Sequence, residues 1–116
     1  MTDELRIYFG FRSPYSRLGL HKIARAGLPD LIPTRLFPFL APAGGAPFFD
    51  PAASPPKLAY YAEDAARMTA RLGLPVRLPD PFDVDFDLAN QTFLSADQAG
   101  AGLAFALAVS DARWGH

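Results

Sequence analysis

Tyr8 to Ser16 reads YFGFRSPYS, and the fold turns on how this stretch joins a short apolar strand to a helix through a Ser-Pro pair. Ser13 is a good N-cap, with a hydroxyl able to accept from a backbone N–H left unpaired in the first turn. Pro14 suits the first helical position. Ser16 follows three residues after Ser13, so two hydroxyls flank the positive end of a helix dipole, a place that stabilises thiolates, carboxylates and phosphates. Where two cysteines take this spacing at a helix start, the N-terminus lowers the pKa of the first sulfur. Here both are serine. Such a site forms no disulfide of its own, but its hydroxyl can hold the thiolate of an external thiol. The plainer reading is a capping hydroxyl whose only partner is its own backbone.

Upstream, residues 5–10 (LRIYFG) are rich in β-formers and alternate weakly, as expected of a strand buried on both faces. Downstream, residues 14–26 read as a helix. Leu20, Ile23 and Ala24 make its apolar strip, and Arg17, His21 and Arg25 its polar side. Gly27 is the stop. Residues 31–40 (LIPTRLFPFL) have the composition of a second strand, with Pro33 and Pro38 marking an edge. Strand, helix and strand with short joints imply a right-handed parallel βαβ unit.

The chain has 116 residues, half of them hydrophobic and 13% aromatic, which suffices for one small core and argues against disorder. Eleven basic and 12 acidic residues give a net charge of −1, so no field is available to capture nucleic acid. The absence of cysteine removes disulfides, thiolate zinc sites and dithiol redox chemistry, and makes the cytoplasm the default compartment. No secretory signal or membrane-spanning run is visible in the sequence.

Residues 41–54 (APAGGAPFFDPAAS) read as a loop anchored by Phe48 and Phe49. Ser54 and Pro55 then open a helix that Gly73 closes. Its buried face is expected at Leu58, Tyr61, Ala62, Ala65, Thr69 and Leu72, with Lys57, Tyr60, Asp64, Arg67 and Arg71 opposite and a Glu63–Arg67 pair alongside. Prolines make residues 74–86 irregular. Asp87 is placed to cap a helix with Leu88, Ala89, Phe93, Ala96 and Ala99 on one face, and Ser95 with Gln98 also fits a capping box. Gly100 and Gly102 separate this from a last helix, Leu103 to Ala112, apolar nearly all round and therefore expected to be buried on more than one side.

Taken together, these residues resemble the 2-hydroxychromene-2-carboxylate isomerases and the related kappa-class glutathione transferases, of the DsbA-like branch of the thioredoxin fold, a branch that also holds oxidoreductases. The resemblance is carried by YFGFRSPYSRLGL, by Lys57, Tyr60 and Asp64 spaced K-x-x-Y-x-x-x-D, by Gly73-Leu74-Pro75, by Pro81-Phe82, and by Ala108-Val109 with Ala112-x-Trp114. It implies an α/β fold: a thioredoxin-like βαβ over residues 1–40, a loop and helical insertion over 41–116, and the C-terminal half of the thioredoxin core absent.

The resemblance further implies a glutathione-dependent isomerase acting by thiolate addition, bond rotation and elimination, or a transferase using the same sulfur, on a small aromatic or electrophilic substrate of the kind met in aromatic degradation. It assigns Ser13 to the sulfur, Ser13, Lys57 and Asp64 to glutathione, and Tyr15 and Tyr60 to substrate. For the helix residues the plain alternative is a solvated polar face, and for Tyr15 it is packing. Arg12 and Arg17 read either as attractors for carboxylates or as ordinary soluble surface. No metal site is expected: His21 and His116 have no cluster around them, and Asp83, Asp85 and Asp87 lack the glycine and glutamate of a calcium loop. Nor is nucleic acid or membrane expected as a partner. A rival of another class is a chain that acts only by association, as a homodimer or with another protein, through an open sheet edge and the apolar last helix.

Overall fold

The structure, a computed structural model, describes residues 3–39, 50, 53–81 and 84–115. Two strands, β1 (Leu5–Phe9) and β2 (Thr34–Pro38), lie parallel, with Leu5 opposite Thr34 and Phe9 opposite Pro38. Between them run α1 (Pro14–Arg25) and a four-residue turn of helix, α2 (Leu28–Leu31). The expected βαβ is therefore present. The second strand starts later than its composition suggested because Leu28–Leu31 winds into α2, with Gly27 in the left-handed region (φ 64°) ending one helix and leading into the next.

Three more helices follow among the described residues: α3 (Pro55–Arg71), α4 (Asp87–Gln98) and α5 (Gly102–Trp114). The core gathers Phe9 and Phe11, Leu20 of α1, Leu36 of β2, Phe93 of α4 and Ala106 of α5. Phe93 is fully enclosed, and edge-to-face rings tie Phe9 to Phe11 and to Phe93. Among the described residues, these contacts place the helices on one side of the sheet.

That arrangement corrects the expectation that β1 is buried on both faces. Phe9 turns into the core, but Arg6 and Tyr8 are exposed, and Tyr8 stacks on Phe37 across the open side with ring centroids 5.1 Å apart. Arg35 lies over the Phe37 ring at 5.0 Å, and Glu4 pairs with both Arg6 (2.7 Å) and Arg35 (3.7 Å).

Helix α1 departs from its reading in the opposite sense. Arg17, expected on the polar side, is 1% exposed, because α5 packs on that side as well as the sheet on the other. Its Nε donates to Asp111 Oδ1 of α5 (2.8 Å) and its Nη1 to the carbonyl of Pro75 (2.8 Å), while His21 Nε2 meets the same Asp111 oxygen at 2.7 Å. A Cβ at Gly115 would stand 2.8 Å from both Arg17 Nη2 and the Asp111 carbonyl oxygen, so a side chain there would have to displace one of them.

Helix α3 buries only Ala65 and Thr69, with Leu58 and Ala62 exposed, because its first turns reach past the core and it packs chiefly on α1. Arg67 reaches Asp64 at 3.5 Å in place of the expected Glu63 pair. Gly73 closes the helix at φ 71°. In α4 Asp87 is the first helical residue, and it is the Asp85 carboxylate that accepts the Asp87 N–H (2.9 Å). Ser95 lies inside α4, so no capping box forms, and Leu88 is 77% exposed on the flank away from Phe93. Helix α5 buries Gly102, Ala106, Ser110 and Trp114 and leaves Ala104, Ala108 and Ala112 outside, in keeping with a helix covered on more than one side. Phe48, Phe49, Phe82, Asp83 and His116 lie outside the described residues.

Candidate functional site at the start of α1

Ser13 caps α1 from an extended backbone (φ −93°, ψ 125°), as the Ser-Pro pair dictates. Its Oγ accepts from the Ser16 N–H at 3.3 Å, and Ser16 Oγ in turn accepts from the Gly10 N–H at 3.0 Å. The second serine thus braces the turn that delivers the first. Ser13 is half-buried, and its capping bond uses Oγ as acceptor, leaving the O–H free to donate outward. Pro14 has no N–H, so the Tyr15 amide is the unpaired donor of this turn. One hydroxyl and one amide at a helix N-terminus form a small anion-holding corner.

The corner opens into a cleft of ≈ 300 Å³ between β1 and α1, lined by Ile7, Tyr8 and Phe9 on the strand and by Ser13, Tyr15, Ser16, Gly19, Leu20 and Ile23 on the helix. Its walls are largely apolar. Gly19 leaves open space where a side chain would stand.

Tyr15 joins this cleft to α3. Its hydroxyl donates to Asp64 Oδ2 at 2.6 Å, and its ring meets Tyr61 edge-on, with Tyr60 edge-on to Tyr61 beyond. Burial first, and then the bond to Asp64, raises the Tyr15 pKa well above that of a free phenol, so Tyr15 is a hydroxyl donor across the neutral range. The other Asp64 oxygen holds Arg67.

Of the residues expected at the site, Ser13 and Tyr15 line the cleft and Asp64 is bonded to Tyr15. Lys57 and Tyr60 are exposed on α3 and do not line the cleft, Tyr60 lying edge-on to Tyr61. Arg12 is not an open anion attractor, since its Nη2 lies 3.2 Å from both Asp50 oxygens. Arg17 is withdrawn into the bond with Asp111. Sequence reasoning missed Tyr61, which the α3 face had marked as core, and the Arg17–Asp111–His21 cluster, for which no local signal exists. Among the described residues no group of three or more metal-binding side chains is gathered, and no helix is long and apolar enough to cross a membrane.

The fold is similar to that of 2-hydroxychromene-2-carboxylate isomerase. The match has a TM-score of 0.78 and 21% sequence identity, and covers 97% of this chain and 57% of the isomerase. Thus the chain spans somewhat over half the length of that enzyme and follows the N-terminal part of its fold. No protein-family model matches the chain, and no curated protein matches its sequence.

Proposed function

We propose that the chain is a glutathione-handling domain of the 2-hydroxychromene-2-carboxylate isomerase type. The observation that carries this reading is the Ser13 hydroxyl, which caps α1 as an acceptor, keeps its proton for an outside partner, and stands at the mouth of an apolar cleft. A sulfur anion suits that corner better than a neutral thiol, because the O–H, the Tyr15 amide and the helix end all favour negative charge.

Bound glutathione would supply a sulfur nucleophile that adds reversibly to a conjugated carbonyl, so that a double bond can rotate before the sulfur leaves. The chain's own residues hold and orient. Ser13 donates to the sulfur. Lys57, on the exposed side of α3, offers a cation for a carboxylate end, and Tyr15 and Tyr60 offer ring faces and edges to a planar substrate. Asp64, with both oxygens engaged by Tyr15 and Arg67, fixes Tyr15 in place and serves the ligand at one remove. A kappa-type transferase would use the same corner, and a change of electrophile separates the two.

The test is glutathione binding by calorimetry together with isomerisation of 2-hydroxychromene-2-carboxylate, for the native chain, Ser13→Ala and Ser13→Asp. Ser13→Asp keeps a capping acceptor but removes the donor and adds a repelling charge. Both variants are expected to lose about 100-fold or more in turnover, and the thiolate absorbance of bound glutathione should vanish with them. Full activity in Ser13→Asp would refute the assignment.

A further inference from the structure

Gly10, Ser13 and Ser16 close a ring of hydrogen bonds where β1 passes into α1. The Gly10 N–H donates to Ser16 Oγ (3.0 Å), the Ser16 N–H to Ser13 Oγ (3.3 Å), and the Ser13 N–H back to the Gly10 carbonyl (3.4 Å). These bonds are unequal. Only the one accepted by the Ser16 hydroxyl has an ordinary N–H···O length, and the others are stretched. The Ser13 side chain therefore takes its place from a weak cap, and the residue that donates to that cap is held by the strongest bond of the ring.

Gly10 is the fixed member. Phe9 and Phe11, on either side of it, are both buried in the core, and the Phe9 carbonyl accepts from the Phe39 N–H at 2.7 Å. Core packing and the sheet thus set where the Gly10 amide points. The Ser16 hydroxyl carries that setting across six residues of chain into the first turn of α1. Serine suits the task, because its Oγ accepts from the strand end while the N–H of the same residue donates to the cap.

We infer that Ser16 is the positioning residue for the Ser13 hydroxyl: it holds the start of α1 against the end of β1 and so selects the direction in which Ser13 presents its proton. The inference rests on the reading of Ser13 as the group that holds a sulfur anion. A serine hydroxyl has several staggered positions about χ1, and the bond from the Ser16 N–H favours one of them. Aim matters here because a donor that must first be turned into place gives back part of what it contributes to an anion. Ser16 acts through Ser13 and needs no contact of its own with the ligand.

An isosteric pair of variants separates this role from plain turn-building. Ser16→Thr keeps an acceptor oxygen, whereas Ser16→Val has nearly the same shape and χ1 stiffness without it. In the unliganded protein, three-bond NMR couplings at Ser13 should report one χ1 rotamer in the native chain and in Ser16→Thr, and an average over rotamers in Ser16→Val. With glutathione bound, the tripeptide's thiol should titrate at higher pH in Ser16→Val than in the native chain. Isomerisation per folded molecule should fall about 10-fold in kcat with KM little changed, and Ser16→Thr should recover most of that loss. A merely structural serine would lower the folded fraction and leave the thiol titration and the turnover of each folded molecule where they were. That result overturns the inference, and so does a single Ser13 rotamer in Ser16→Val. Full turnover in Ser13→Ala would instead sink the sulfur-holding reading, and the couplings, which need no ligand, still decide whether Ser16 orients Ser13.

Discussion

Arg17 shows how far one side chain can depart from its place on a helical wheel. Its guanidinium is buried against Asp111 and the Pro75 carbonyl, and removing it leaves that carbonyl without its donor and Asp111 with His21 alone. Arg17→Leu is expected to cost about 3 kcal/mol in urea unfolding, the range for breaking a buried pair from one side. Asp111 itself links stability to pH. Burial pushes its pKa up, but the hydrogen bonds from His21 and Arg17 outweigh that and hold it below the ordinary value of an aspartate. A carboxylate with a depressed folded pKa contributes stability that is fully present above the unfolded value and is lost as pH falls through the folded one. The melting temperature should therefore drop on acidification below about pH 4, and in Asp111→Asn that part of the drop should be missing. At Ser13 two roles are separable: Ser13→Ala should lose about 1 kcal/mol of stability as a cap is removed, whereas Ser13→Asp should keep most of that stability.

At the scale of elements, the glycine stops set where helices end, and they were legible because each answers to a local rule. Gly27, Gly73 and Gly100 all adopt positive φ, and all follow a helix. Gly100→Ala is expected to destabilise by about 1 kcal/mol, from the Cβ clash in the left-handed region, and Gly100→Asn by less, a difference that parallel thermal melts would show. The limits of α1, α3 and α5 were close for the same reason. What local rules did not give is which flank of each helix is covered. The spacing of Leu58, Tyr61 and Ala62 is that of a buried face, yet α3 meets α1 only along part of its length. Phe93 and Leu88 stand on one helix with similar hydropathy, but the first is sealed and the second open. Phe93→Ala should cost about 3–5 kcal/mol, and Leu88→Ala should be near neutral.

For the molecule as a whole, the core is concentrated between the sheet, α1, α4 and α5, and α3 is tied on by Tyr15, Tyr61 and the bond to Asp64. Local opening follows contact density. Amide exchange in α3 is therefore expected to be faster than in α1 and α5, and Tyr15→Phe should speed it further while leaving α5 unchanged. The same tie brings the cleft and the polar residues of α3 into one neighbourhood, so the weakest seam of the fold passes through the candidate site.

By itself the sequence determined the local geometry: a strand feeding a serine-capped helix, a parallel return and the helix boundaries. These depend on backbone preferences and hydrogen bonds spanning a few residues. Only the tertiary structure decided that Arg17 is interior, that Tyr15 reaches Asp64, and that one face of the sheet is open. Those outcomes depend on pairs 94 and 49 residues apart and on which surfaces happen to meet, and no short stretch of chain encodes a contact with a partner it does not contain.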